Sequence, residues 1–391
     1  MAGNRSLHDL TRRRTIFHLI FAVPCLYVFA RWLSPLALPL WVKAVLAIVF
    51  LGASQFHYWS RLSSGSVFAP EFPRPLVILF NWAFGALLLL ALLQLLVDVT
   101  VLLVSLLHLR MVGVPDGIRY TAAAFAAILA AIGVANAIRV PPIRDIDVTI
   151  AGLPRRFDGY RLLQLTDLHI SRLFTERWAR AVVAHANASN VDLIVVTGDF
   201  IDGSVPMRRR DVAPLAGLRA PDGVVAVPGN HEYFFDYAGW MRHLATLGVR
   251  MLPNAHVTLE RGNDAIVIAG VTDLSAASVG QPPPDLKAAL AGAPAAARVI
   301  LLDHQPRDAR TAAAAGISLQ LSGHTHGGMI AGLAGALGPA NGGFVSGRYT
   351  VGAMTLYVSN GTGLWPGFAL RLGRPSEMTR ITLRAATIEQ R

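Results

Sequence analysis

The chain has 391 residues, 53% of them hydrophobic and 15% charged, with a formal net charge of +11. That length accommodates one catalytic-size domain plus a second region. A single cysteine, Cys25, excludes a disulfide within the chain, and the basic excess forms no stripe interleaved with aromatics, which excludes a nucleic-acid surface.

Residues 1–140 are apolar and poor in charge. They are read as an all-α transmembrane region of about four helices, at residues 16–30, 36–52 (interrupted by Lys43), 75–107 and 120–137. A spanning helix needs about 20 mostly apolar residues, and helices apolar on every face are a poor fit to a water-soluble bundle. The first stretch is short but opens a series, so a cleaved signal peptide is rejected. Thr11-Arg12-Arg13-Arg14 lacks the flanks of a twin-arginine signal. Basic residues near span ends set orientation. Arg5, Arg12, Arg13, Arg14, Arg61, Arg74, Arg139, Arg144, Arg155, Arg156 and Arg161 fall on one side, against Arg31, Arg110 and Arg119 on the other. That bias places both termini in the cytoplasm, provided the stretch 75–107, which contains Asp98, is one span. The basic excess also suits a position near anionic lipid.

Residues 141–391 have an ordinary α/β composition and carry five short polar segments. Each follows an apolar run of strand length. Residues 162–166 run into Asp167-Leu168-His169, and 192–197 into Gly198-Asp199. Residues 224–228 run into Gly229-Asn230-His231, 299–302 into Asp303-His304, and 318–322 into Gly323-His324-Thr325-His326. Ligand sites in open α/β sheets lie at the carboxyl ends of strands. Any one segment has an ordinary explanation: Gly-Asp as a turn, Asn230 as a helix cap, His-x-His as a buried core pair. The five in series are the inventory of a site for two divalent cations. A mixed carboxylate and imidazole set suits manganese, with iron and zinc as alternatives.

These segments resemble the calcineurin-like metallophosphoesterase family, whose pattern is D-x-H, G-D-x-x-D, G-N-H-[DE], a lone His after a strand, and G-H-x-H. The resemblance covers roughly residues 146–383. The flanks resemble a bacterial membrane-anchored subgroup, through Leu153-Pro154, Phe157-Asp158-Gly159, His326-Gly327-Gly328, Gly361-Thr362-Gly363, Pro375 and Glu377. Met329 and Ser376 depart from that subgroup, where Gln and a second Pro are usual. The resemblance implies a four-layer α/β/β/α sandwich over residues 141–391 and two bound metal ions. Asp167, His169, Asp199 and His326 would hold one ion; Asp199, Asn230, His304 and His324 would hold the other. His231 would be the catalytic residue facing substrate. Asp202 and Asp303 are expected either as partners for ligating histidines or as structural residues.

The implied function is a membrane-anchored phosphohydrolase of the bacterial inner membrane, with its catalytic domain cytoplasmic. Its substrate would be a lipid-linked phosphoester or pyrophosphate, with UDP-diacylglucosamine a candidate from related family members. A hydrolase of soluble phosphoesters, or a membrane scaffold with a relic metal site, are the competing functions. Arg208-Arg209-Arg210 reads as a solvated run, or one that meets acidic headgroups. Trp365-Pro366-Gly367-Phe368 reads as a packed loop or as an apolar rim of the site. Tyr233-Phe234-Phe235 reads as core or pocket lining.

Overall fold

A computed structural model describes residues 21–386. The N-terminal arginines Arg5, Arg12, Arg13 and Arg14, and the first residues of the stretch 16–30, lie outside them. The described chain begins in a short apolar helix, α1 (Phe21–Leu33). Next come α2 (Leu40–Ser54) and α3 (Phe56–Ser64), bent by 56° between them. No Pro stands at this bend; Gly52 and Ser54 lie in the turn before it. Ser54 Oγ donates to the Leu51 carbonyl at 2.8 Å, a back-bond that bends helices. Trp59 Nε1 then donates to the carbonyl of Gly52 at 2.9 Å.

The stretch expected at 75–107 is one helix, α4 (Arg74–Leu107), started by Pro75 in its first turn. Helix α5 (Asp116–Ala137) has Asp116 in its first turn, favourable for the helix dipole. Both α4 and α5 are long and apolar enough to cross a membrane, and α2 with α3 makes a third if the bent pair is one span. The four expected spans are therefore two full-length helices, a bent pair and a short helix. Along α4, Leu92, Leu95, Leu96, Leu102, Leu103 and Leu106 are exposed, a surface suited to lipid. Asp98 is not left bare in this apolar helix. It accepts from Tyr27 (2.7 Å), from Nε and Nη2 of Arg31 (2.9 and 3.1 Å) and from Gln94 (2.8 Å).

The chain divides into two compact units. One runs to Asn136 and includes Pro366–Leu370; the other comprises Ala137–Trp365 and the chain from Arg371 onward. Within the first, the buried carboxamide of Asn81 donates to the Pro366 carbonyl (2.8 Å) and accepts from the Ala369 N–H (2.6 Å). Phe368 meets Phe84 edge-on at 5.8 Å. Residues 366–370 thus pack as part of the helical unit.

The second unit holds two six-stranded sheets. In the first, the order is β1 (Ile143–Ile150), β12 (Met378–Ala385), β2 (Arg161–Leu165), β3 (Leu193–Thr197), β4 (Val224–Val227), β5 (Arg250–Met251). In the second it is β10 (Gly347–Val351), β11 (Met354–Val358), β9 (Leu319–Ser322), β8 (Arg298–Leu302), β7 (Asp264–Gly270), β6 (Ala255–Arg261). Strands β2 to β5 are parallel, as are β7, β8, β9 and β11; β12 against β2, β6 against β7 and β10 against β11 run antiparallel.

Alternation along each strand sends one set of side chains between the sheets. Leu162, Leu193, Val195 and Val225 meet Ile266, Ile268, Ile300, Leu319 and Leu321 in one core. On the far side of the second sheet, Val267, Leu301 and Leu356 pack with Ala289 of α10 (Leu286–Ala289) and Ala309 and Ala312 of α11 (Ala309–Ala314). The outer face of the first sheet is buried too, at Leu163, Ile194 and Val196. On that side α6 (Glu176–Asn187) buries Trp178, Ala179, Val182, Val183 and Ala186. Both faces of both sheets are thus covered, as a four-layer sandwich requires.

Candidate metal centre

Strands β2, β3, β4, β8 and β9 end beside one another, and every one of the five polar segments leaves from one of those ends. Gathering the ligands demands an unusual backbone. Among the described residues ten non-glycine residues have positive φ, and five of them are Asp167, His169, Asp199, His324 and His326. Such conformations cost energy and cluster at functional sites. Two glycines permit the close approach of neighbouring loops. A Cβ at Gly229 would lie 2.2 Å from Asp199 Oδ1, and one at Gly323 would lie 2.1 Å from Thr166 Oγ1 and 2.3 Å from Asp167 Oδ2.

Ligand-type atoms converge in overlapping triads: Asp167, His169 and His326; His169, Asp199 and His231; Asp199, His304 and His324. Asp199 Oδ2 lies 3.7 Å from His169 Nε2 on one side and 3.2 Å from His304 Nε2 on the other. His326 Nε2 is 3.2 Å from His169 Nε2 and 3.7 Å from Asp167 Oδ1. Asn230 Oδ1 meets His304 Nε2 at 3.0 Å and His324 Nδ1 at 2.9 Å. The structure brings all seven expected ligands together. The donor chemistry also fits cations: two imidazole nitrogens 3.2 Å apart repel through their lone pairs unless a proton or a metal ion lies between them.

Several ligands are aimed by a second contact. His169 Nδ1 faces Asp202 Oδ2 at 3.1 Å, and His304 Nδ1 faces the Thr197 carbonyl at 2.7 Å. Asp202 Oδ1 also makes a very short contact with His231 Nδ1, so one buried carboxylate orients His169 and His231 together. Main-chain N–H groups fix the acids. His231 N donates to Asp199 Oδ1 (2.9 Å), and His324 N donates to both oxygens of Asp167 (3.0 and 3.2 Å).

Electrostatics follow from burial and these neighbours. Burial alone would raise Asp199, but the charges of His304 and His231 take it well below the usual carboxylate range. Burial lowers His231, yet Asp199 and Asp202 push it up to about 9. Burial and His304 push His324 down to about 3. These neighbours thus favour the ionised form of Asp199 and the protonated form of His231.

For two residues the structure disfavours one of the expected alternatives. Asp303 makes none of the described contacts with a ligating histidine: it accepts from Gln320 Nε2 at 3.3 Å and lines a cavity of about 150 Å³ with Gln305 and Asp308. Burial, with Asp273 nearby, pushes it up to about 8. Arg208 is not solvated. It is fully buried in α7 (Val205–Val212), and its Nε donates to the Asp202 carbonyl at 2.8 Å; Arg209 and Arg210 are exposed. Of the three aromatics after His231, Tyr233 is buried, whereas Phe234 is exposed with its ring 5.3 Å from that of His231.

Sequence reasoning matched Glu232 to the acid of G-N-H-[DE] but gave it no role. Its Oε2 accepts from Asp199 N (3.0 Å) and Gly229 N (2.7 Å), and its Oε1 from Phe200 N (2.8 Å). One carboxylate thereby ties together the loops after β3 and β4. The acid at the third position of a helix after a glycine N-cap is the available signal.

Residues 160–328 match the calcineurin-like phosphoesterase family. An uncharacterised metallophosphoesterase of Bacillus subtilis is 32% identical over 240 residues, 60% of this chain and 82% of that protein. The chain belongs to this metallophosphoesterase family. A Danio rerio transmembrane protein with metallophosphoesterase domain is 35% identical over 272 residues, and its Bos taurus counterpart 34% over 277; each match covers 66% of this chain. The chain spans 61% of the length of either relative. Among solved structures, a dimetal phosphatase from Danio rerio covers 52% of this chain and 88% of its own at 14% identity, with a TM-score of 0.34, a likeness too distant to bear on function.

Proposed function

We propose that this protein is a membrane-anchored, metal-dependent phosphohydrolase acting on a phosphoester or pyrophosphate carried by a lipid. The observation that carries the chemistry is Asp199 Oδ2, set between His169 and His304. Asp167, His169, Asp199 and His326 would hold one cation, and Asp199, Asn230, His304 and His324 the other, with manganese the expected metal. A bound pair supplies Lewis acidity and lowers the pKa of water. The protein's own residues do the rest. His231, aimed by Asp202, would neutralise charge on the phosphoryl oxygens or give a proton to the leaving oxygen. Asn230 contributes a neutral oxygen, which limits the negative charge of the site where a phosphate must approach. Glu232 and the main-chain N–H groups hold the carboxylates without taking part.

Support for a lipid substrate comes from the helices and the tether. Only residues 138–142 separate α5 from β1, a reach of about 20 Å when extended. The exposed Phe234 beside His231 suits an apolar substrate part. The surplus of arginine on one side of the spans supports a cytoplasmic domain at the inner membrane.

The test is a substrate panel run in detergent with manganese: a nucleotide-linked lipid such as UDP-diacylglucosamine, phospholipids and aryl phosphodiesters. Preference for the lipid pyrophosphate supports the reading. Equal turnover of the soluble esters removes the lipid assignment, and no turnover of any, with metal bound, removes the enzyme. A reporter fused after Arg391 checks orientation: periplasmic phosphatase activity without cytoplasmic fluorescence would overturn the cytoplasmic domain.

A further inference from the structure

Arg371 stands outside all five motifs, yet it is among the largest fully buried side chains of the protein, 1% exposed. A buried guanidinium needs acceptors on most of its N–H groups. Nη1 donates to the carbonyls of His326 and Arg374, both at 3.1 Å, and Nη2 to those of Asn360 and Gly363, the latter at 3.0 Å. Gly363 in turn donates its N–H to the Asp167 carbonyl at 2.9 Å, and Thr362 does the same to Thr166 at 2.8 Å. The fork therefore joins the main chain of His326 to that of Asp167 through the turn 360–363.

This matters because of how His326 is held. A ligating histidine usually gives its second ring nitrogen to a carboxylate or carbonyl. His169 uses Asp202 and His304 uses Thr197. His326 Nδ1 is buried with no such partner, and its backbone sits at φ 50°. Its ring is aimed from the main chain, and Arg371 is the side chain that grips the His326 carbonyl.

We propose that Arg371 is a positioning residue for the half of the metal centre made by Asp167, His169 and His326, setting how tightly a cation is retained there. This rests on the dimetal reading above. Lysine would keep the charge but lose the planar fork.

The experiment uses the full chain in detergent, stripped of metal and titrated with Mn²⁺ alone, with bound metal per chain counted after dialysis. For R371K, one of two binding events should weaken by about 10–100-fold, the other staying as in wild type, so that dialysed protein keeps one metal instead of two. In an H326A background R371K should cause no further loss. Wild-type protein that binds fewer than two ions refutes the dimetal reading itself. Wild type with two ions and R371K with two at unchanged affinity overturns the positioning role. So do equal weakening of both events, an additive loss in the double variant, or unfolding of both R371K and R371Q when metal-free.

Discussion

Both units of this protein gather charged and polar side chains, and they do it for opposite ends. In the helical unit Asp98 is surrounded by donors from Tyr27, Arg31 and Gln94; every lone pair has an answer and nothing remains to bind. In the sheet unit Asp167, Asp199 and five histidines converge, five of the seven at strained backbone positions, with lone pairs facing one another. The first arrangement is closed, and the second is incomplete until a cation enters. Clustering of polar groups is therefore not by itself a mark of a site; unanswered convergence is.

Four substitutions probe that contrast, in falling order of effect. Asp199→Asn replaces the shared carboxylate with a neutral amide, a poor bridge between two dications. Bound metal should fall and turnover drop to background; metal analysis showing two ions per chain with near-normal turnover would contradict the bridge. His231→Ala should keep both metals and slow the chemical step by about 10²–10⁴, the usual worth of a positioned acid. Collapse of metal occupancy in that variant would make His231 a ligand instead.

Asp98→Ala tests the closed cluster. Interhelical polar contacts in membranes are worth about 0.6–1.7 kcal/mol, so the detergent-solubilised variant should melt a few degrees lower with metal content unchanged. Loss of metal would erase the distinction between the two units. The smallest effect concerns Asp303, whose folded pKa is raised to about 8 by burial and Asp273. A raised group favours the fold at low pH, so its contribution is full below about pH 4 and is lost as pH climbs through about 8. In metal-free protein Asp303→Asn should flatten stability across that window; an unchanged pH profile in denaturant titrations would rule the contribution out.

How much could be read from residues alone differs between the units in the same way. Asp-x-His or Gly-Asn-His after an apolar run is visible because polar ligands interrupt a buried strand, and each marks a strand end. The supports were invisible for physical reasons. Arg208 sits in a run of three arginines that resembles a wetted face, but successive residues on a helix point about 100° apart, so one can enter the interior while its neighbours stay out. Arg371 serves backbone carbonyls, which leave no trace in sequence. In the helical unit the long stretch 75–107 was legible as one element, whereas the bend at Gln55 was not, since no Pro marks it. Arg144, Arg155, Arg156 and Arg161 also prove to lie in β1, a 3₁₀ turn and β2, with Arg144 paired to Glu377 at 3.0 Å. Orientation therefore leans on Arg61, Arg74, Arg139 and the N-terminal arginines.

The length of α4 has a mechanical consequence. Its 34 residues extend about 51 Å, against a hydrocarbon slab of about 30 Å. Fitting the whole helix inside would need a tilt of roughly 54°, beyond the range of about 0–40° that spanning helices adopt. Part of α4 must therefore stand clear of the acyl chains. Near its start Val77, Asn81 and Phe84 are enclosed by protein, whereas Leu102, Leu103, Leu106 and Leu107 near its end are bare. It is the base, already wrapped, that can leave the lipid at least cost, so α4 is built as a post: sheathed at the foot, greased along the shaft.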